Sequence, residues 1–354
     1  MQKKLFQILL IPFSLLYGGI ISLRDMMYET GLLKSSKFNL PVISVGNLSI
    51  GGAGKSPHIE YLVSIFQDYL DLGILSRGYK RETTGFRLVS TTDTALTVGD
   101  EPLQFKKKFK DVVVAVDENR ALGIPMMLGQ YPNIQTILLD DAFQHRQVAP
   151  GLNILLTPYD HLFTRDYLLP SGRLREWRSA YKRADIILIT KCPDEVSPEK
   201  RHTILQEINP LSHQKLFFSK FEYDYPYHFY NAQYRIKLDD DLDIILISAI
   251  ANTSYLEDYL NTKVKNIHSM EFEDHHQFTH GDIDYLIQKY KALPEKRKLI
   301  LTTEKDATRL EPFNDILYQN QIPIFIQPAR VVFLDNDKHE FDATVKDFLV
   351  NFTV

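Results

Sequence analysis

Cysteine is nearly missing from this 354-residue chain, with Cys192 its only representative. One thiol excludes a disulfide within the chain and any cysteine metal cluster, and it points to a reducing, cytosolic-side setting. Excess charge of either sign is missing too: 41 basic against 45 acidic residues leave a formal net charge of −4. No general attraction to nucleic acid follows from that balance, so an anionic ligand must be held by local basic groups. No nucleic-acid partner and no obligate protein partner is expected. Low-complexity tracts and internal repeats are absent as well, which removes the solenoid and linker classes. What is present is globular: 44% hydrophobic and 24% charged residues, in a length that suits two ordinary domains.

Residues 41–57 read PVISVGNLSIGGAGKSP, an apolar β-branched run leading into a glycine-rich loop that ends in Gly54-Lys55-Ser56. Strand, glycine loop and helix start, in that order, cradle a nucleotide triphosphate. Glycines let backbone N–H groups point at phosphate oxygens, and the helix N-terminus adds partial positive charge. Residues Ser49, Ile50, Gly51, Gly52, Ala53, Gly54, Lys55 and Ser56 are therefore the expected nucleotide-binding loop. Lys55 would reach the β- and γ-phosphates, and the Ser56 hydroxyl is a ligand type that suits Mg²⁺. The strict pattern asks for glycine where this chain has Ser49. A flexible turn would explain the glycines alone, but not a second element further on. Residues 134–139 (IQTILL) form a buried-strand pattern ending in Asp140-Asp141. A carboxylate at that end of a parallel strand is the usual second Mg²⁺ anchor of phosphate-loop folds, which marks Asp140 and Asp141.

The remaining pattern is that of an α/β protein. Helical spacing covers residues 57–70 and 118–130; continuous apolar runs cover 72–75, 112–116, 152–157 and 186–190. Strands apolar throughout and separated by helices predict a mostly parallel sheet flanked by helices on both faces. Residues 217–238 are rich in aromatics and partly alternating, which suits an extended ribbon between domains. A second βα series begins at Asp243, with strands near 298–302 and 323–327 and a closing helix over 338–350. The expected division is 1–24, an apolar membrane-associated helix; 25–220, a nucleotide-binding domain; and 221–354, a smaller α/β domain.

Residues 5–23 (LFQILLIPFSLLYGGIISL) carry no charge and are flanked by Lys3, Lys4 and Arg24. The length approaches a membrane span, but Gln7, Pro12, Ser14 and Gly18-Gly19 weaken that reading. No small-residue cleavage site closes the segment, and export would part the nucleotide loop from ATP. Three readings stay open: a helix lying on the membrane, a span, and a buried core helix. Basic flanks suit an anionic cytoplasmic leaflet, so peripheral membrane association is the expectation.

Three further clusters carry chemistry. Val98-Gly99-Asp100-Glu101-Pro102 sets two acids at a helix start, where Asp100 serves either as an N-cap or as a base. Residues 273–278 (EDHHQF) place His275 and His276 beside acids; adjacent residues seldom converge on one ion, so the choice is between a structural pair and acid–base work. Residues 168–176 (LLPSGRLRE) bring Arg173 and Arg175 into a tight turn, and planar guanidiniums suit phosphate recognition. Residues 190–194 (TKCPD) loosely echo the base-recognition motif of GTPases, with the spacing off by one. A nucleotide-hydrolysing switch or metallochaperone is thus the alternative to an enzyme with a phosphoryl acceptor.

Seven stretches together resemble the tetraacyldisaccharide 4′-kinase family: VGNLSIGGAGKSP (45–57), LSRGYKR (75–81), VGDEP (98–102), LLDDAFQHR (138–146), LLPSGRLRE (168–176), EDHHQFT (273–279) and TEKDA (303–307). They run in the family's order across nearly the whole chain. That family carries Ser or Thr where Ser49 stands, and often proline where this chain has Arg173. The resemblance implies a phosphate-loop kinase-like fold and transfer of the ATP γ-phosphoryl group to the 4′-hydroxyl of a membrane-embedded tetraacylated glucosamine disaccharide 1-phosphate, giving lipid IVA. It implies ATP and Mg²⁺ as cofactors, Ser56, Asp140 and Asp141 as metal ligands, and Lys55 as the charge on the phosphates. It implies Asp100 as the base assisted by His275, with His276 second. Arg77, Glu101, Arg175 and Glu176 would line the substrate site, at the cytoplasmic face of the inner membrane.

Overall fold

A computed structural model describes residues 2–353, and in the N-terminal helix side chains from Gln7 onward, so the Lys3-Lys4 flank lies outside the side chains described. The larger sheet contains β1 (Val42–Asn47), β2 (Leu72–Ser76), β3 (Arg87–Leu88), β4 (Val113–Val116), β5 (Thr136–Asp140), β6 (Leu152–Pro158), β7 (Ile186–Thr190) and β8 (Lys215–Tyr223). The smaller one contains β9 (Tyr227–His228), β10 (Asn231–Arg235), β11 (Asp243–Ser248), β12 (Asn266–Glu271), β13 (Lys298–Thr303) and β14 (Ile324–Gln327), after which β15 (Ala329–Phe333) returns to the first. Strand order is 15-8-7-6-1-5-2-4-3 in the nine-stranded sheet and 10-9-14-13-11-12 in the six-stranded one.

Pairing in the larger sheet is parallel from β8 through β4, with antiparallel edges supplied by β15 and β3. Every residue of β1, β2, β5 and β7 is buried, the signature of strands covered on both faces. In parallel strands all C-terminal ends share one edge, and that edge carries Asn47, Ser76, Asp140 and Thr190.

The aromatic stretch 217–238 is divided. Its first part is β8 of the larger sheet, and Tyr227–Arg235 folds back as a hairpin on the edge of the smaller one. The expected division at residue 220 thus falls inside β8. Residues 329–350, expected with the second unit, return to the first: β15 pairs with β8 and the helix Asp337–Val350 packs Phe341 and Val345 into the larger core. No local pattern separates these apolar residues from those of the smaller core, because both units take the same residue types.

The N-terminal helix (Gln2–Glu29) buries only a narrow stripe. Ser14 bonds the Leu168 carbonyl at 3.0 Å and Ser171 Oγ at 2.8 Å, and the Tyr17 hydroxyl donates to the Arg175 carbonyl at 2.8 Å. At Gly18 a Cβ would lie 2.3 Å from Trp177, so glycine is what allows the helix to lie on that ring, whose Nε1–H donates to the Gly18 carbonyl. On the opposite side Leu9, Phe13, Leu16 and Ile20 are all more than half exposed, which rules out the buried-core reading of this helix. Large apolar side chains left in a row facing outwards are what a helix resting in or on a bilayer presents.

Candidate active site

The glycine loop leaves β1 at Asn47 and enters the helix Lys55–Phe66. Gly54 sits at φ 89° with the Phe221 ring 2.7 Å from where a Cβ would stand, so both backbone and space require glycine there. His58 fastens the helix start to the sheet: its Nδ1 lies 2.7 Å from the Gly54 carbonyl and its Nε2 3.0 Å from Ser219 Oγ. Burial, only partly offset by the bond to Gly54, lowers its pKa to about 4, so the ring stays neutral and donates through Nδ1–H.

Beside the loop, β1 pairs with β5 so that Val45 stands opposite Asp140. Lys55 Nζ lies 3.1 Å from Asn47 Oδ1 and 3.7 Å from Asp141 Oδ1. Arg175 closes the cluster by gripping both Asp141 oxygens, at 2.8 and 3.1 Å, and by donating to Asn47 Oδ1 at 2.7 Å. Burial would raise the Asp141 pKa, but Lys55 and Arg175 outweigh it and hold the carboxyl well below its ordinary range. Asp140 behaves in the opposite way. Burial, with Glu101 and Asp141 nearby, pushes it up to about 6 despite Lys55 and a 2.9 Å bond from Ser76. Its second oxygen, Oδ1, is buried without a partner. A buried carboxylate that is under-neutralised and holds an orphan oxygen beside a phosphate loop suits a divalent cation, so the residues present fit Mg²⁺.

The second cluster joins the two units. Asp100 opens the helix Asp100–Lys108 and meets two donors from the smaller unit: His275 Nδ1 at 3.0 Å and Arg309 Nη2, both on Oδ2. Arg309 is fully buried and also donates to Asp306 Oδ1 and the Ala249 carbonyl. Burial would raise the Asp100 pKa, but these two donors outweigh it and keep the carboxylate ionised. On its other side, His275 Nε2 faces the Lys305 ammonium at 3.3 Å, and Lys305 pairs with Glu101 at 2.8 Å. Since an ammonium only donates, Nε2 must accept and Nδ1 carries the proton donated to Asp100. The paired histidines part company here: His276 stacks on Phe272 and bonds Asp282 at 2.9 Å inside the smaller unit.

Residues 49–56, Asp140, Asp141 and Arg175 therefore form one cluster, and Asp100, Glu101 and His275 a second that adjoins it through the charge of Glu101 on Asp140. Arg77, directly after β2, is exposed and has no ion-pair partner among the described residues. Glu176, expected to line the substrate site, has another task. It is fully buried, with one oxygen taken by Arg24 of the N-terminal helix and the other by Arg183 at 2.5 Å. Arg173 is likewise held by Asp166 at 3.0 Å. Sequence reasoning missed Asn47, Lys305 and Arg309. The available signal was the run TEKDATR after β13, in which Lys305 and Arg309 stand one helical turn apart and so share a face, the one turned to Glu101 and Asp100.

Known proteins resemble this chain over nearly its whole length. The family model described as tetraacyldisaccharide-1-P 4′-kinase matches residues 6–349. A tetraacyldisaccharide 4′-kinase of Bacteroides thetaiotaomicron is 40% identical over 345 residues, covering 94% of this chain and 90% of its own. One from Flavobacterium johnsoniae is 40% identical over 341 residues, covering 96% of each. The crystal structure of the "apo" form of LpxK from Aquifex aeolicus in complex with ATP is similar with a TM-score of 0.72 at 27% identity, covering 97% of this chain and 99% of that one.

Proposed function

The chain belongs to the tetraacyldisaccharide 4′-kinase family, and on that premise we propose how its own residues carry out the transfer. The enzyme is an ATP-dependent kinase of lipid A biosynthesis; its acceptor is the 4′-hydroxyl of a tetraacylated glucosamine disaccharide 1-phosphate and its product lipid IVA. The observation that carries the reading is the Asp100–His275 contact, made between two units and adjoining the phosphate loop. A switch that hydrolyses its nucleotide has no need of an acceptor base assembled this way.

The loop amides and Lys55 hold the triphosphate, and Arg175 and Asn47 keep Lys55 and Asp141 in place until it arrives. Ser56 and Asp140 would hold Mg²⁺, with Asp141 as the alternate ligand; the ion would supply positive charge to neutralise the phosphates. Both donors to Asp100 converge on Oδ2, which leaves Oδ1 for the sugar hydroxyl. His275 Nε2 is turned to Lys305, so the proton goes to Asp100 and His275 orients it. A carboxylate of low basicity suffices, because a loose transition state calls for proton removal only late. Lys305, Glu101 and Arg309 hold the dyad where the units meet, keeping water from the acceptor position. Arg77 supplies the free guanidinium for substrate phosphate, and the N-terminal helix rests on the cytoplasmic face of the inner membrane, where the acyl chains keep the substrate.

Nucleotide turnover measured with and without the lipid disaccharide tests this. ATP consumption should require the lipid and should yield a product with one added phosphate. Acceptor-independent GTP hydrolysis would sink the proposal.

A further inference from the structure

Four ion pairs join the helix Asp100–Lys108 to residues 304–311 of the smaller unit: Asp100–Arg309, Glu101–Lys305, Lys107–Glu311 and Lys108–Glu304. The first two gather at the acceptor base. The last two lie at the other end of the helix, about 12 Å along its axis from Asp100. Lys107 and Glu311 are both partly exposed, and a pair of that kind contributes little. Lys108 differs because its ammonium is shared. It donates to Glu304 Oε1 at 2.9 Å and Oε2 at 3.1 Å, and to Glu60 Oε2 at 2.7 Å. Glu60 is buried and stands on the phosphate-loop helix Lys55–Phe66. One cation thus spans three helices: that of the phosphate loop, that of Asp100, and that of Lys305 and Arg309.

Two carboxylates around one ammonium leave an excess negative charge when both are ionised. Balance is reached when Glu60 holds a proton, and its surroundings favour that. Burial and the charge of Glu304 outweigh Lys108 and the Gln104 bond, and push the Glu60 pKa up to about 7. Gln104 serves either form. Its Nε2 donates to the carboxylate at 2.7 Å; its Oε1 is buried without a partner and, with the amide turned over, would accept from a carboxyl O–H. Tyr227 of β9 also faces the pair, and burial with the two acids, against Arg235, keeps its phenol protonated. Lys108 stays charged, since the two acids outweigh its burial. Protonated Glu60 therefore yields Lys108 to Glu304, which draws the units together. Ionised Glu60 competes for that ammonium and repels Glu304.

We propose that Lys108 is a positioning residue for the phosphoryl transfer: by tying Glu304 to the phosphate-loop helix, it seats Lys305 and Arg309 against Glu101 and Asp100. The assignment rests on the kinase reading above and extends it, because the acceptor base is then ordered from a point remote from the reacting atoms. Ionisation of Glu60 loosens the tie, so the seating weakens as pH rises through neutrality.

Steady-state kinetics of the full chain with ATP, Mg²⁺ and the lipid disaccharide test this, with thermal unfolding and calorimetric ATP binding measured alongside. Lys108→Met should lower kcat roughly tenfold or more at pH 7 with the ATP dissociation constant within about twofold of wild type, and Lys108→Arg should recover much of the loss. Glu304→Gln should act like Lys108→Met, since it breaks the tie on the side of the smaller unit. Glu60→Gln fixes the uncharged form, so its kcat relative to wild type should rise about threefold or more between pH 6 and pH 8. A Lys108→Met chain that unfolds at lower temperature but keeps the wild-type kcat would make Lys108 a prop of the fold and overturn the proposal. So would an indifferent Glu304→Gln, or a Glu60→Gln ratio that does not change with pH; should Lys108→Met not fold, these two decide. A wild-type chain that consumed no ATP with the lipid would defeat the kinase reading itself, whereas an active wild type with indifferent variants defeats this assignment alone.

Discussion

Arg309 and Asp100, 209 residues apart in the chain, form a buried ion pair across the junction of the two units. Arg309 is in turn fixed by Asp306 and by the Ala249 carbonyl, so the Asp100 carboxylate of the larger unit is oriented by a rigid fork of the smaller one. In the proposed mechanism, contact between the units and orientation of Asp100 are therefore the same interaction.

That relation makes Arg309 a positioning residue. Asp100 faces His275 and Arg309 directly, with Lys305 and Glu101 next to them, and the cations hold it ionised throughout the neutral range. In Arg309→Met the Asp100 pKa rises, so the acid limb of the kcat–pH profile should move to higher pH; Arg309→Lys should move it less. Because the unpaired charges left in the methionine variant cost on the order of 3 kcal/mol or more, thermal unfolding is measured alongside. A stable variant whose pH profile matches the wild type would show that Arg309 only holds the units together.

The two histidines should separate cleanly. His275→Ala removes the donor to Asp100 and should lower kcat roughly a hundredfold with the ATP dissociation constant nearly unchanged. His276→Gln touches only Phe272, Phe278 and Asp282, so its effect belongs in unfolding temperature, with kcat within about threefold of wild type. Steady-state kinetics on both variants decide it, and the reverse ranking would make His276 the assisting residue.

Much of the candidate nucleotide site was legible in the sequence because it is local: strand, glycine loop and helix start are contiguous, and a strand ending in Asp140-Asp141 declares itself by hydrophobicity alone. Residues defined by distant partners were not. Glu176 reads as a substrate ligand until Arg24, 152 residues away, is seen to hold it. Arg309 lies two residues past a quoted motif, and nothing nearby says that its fork reaches Asp100. The return of β15 to the larger sheet was equally hidden, since an apolar strand does not record which core it will enter.

Membrane docking should follow from the outward face of the N-terminal helix rather than from the helix as a whole. Deleting residues 1–23 would also strip Ser14, Tyr17 and Gly18 from the 168–177 loop, confusing anchoring with folding. Leu16→Glu with Ile20→Glu changes only exposed positions. Sedimentation with anionic vesicles should be lost, while the unfolding temperature and ATP affinity stay as they were. A double variant that still sediments would mean that another surface holds the membrane.

Asp140 should be a destabilising residue that the reaction requires. Its pKa rises from an ordinary 3.8 to about 6 in the folded chain, so between those values the folded state keeps a proton that the unfolded state has released. Stability is therefore lost as pH rises through that window, and the penalty is complete above it. Asp140→Asn removes the charge and keeps the shape. In EDTA at pH 7.5 it should unfold at higher temperature than wild type, by up to about 2–3 kcal/mol, with the gain gone below about pH 4. Added Mg²⁺ should stabilise the wild type and not the variant, and the variant should be inactive. A variant less stable than wild type at pH 7.5, or one stabilised equally by Mg²⁺, would show that Asp140 is held by its bond to Ser76 and not in readiness for a cation.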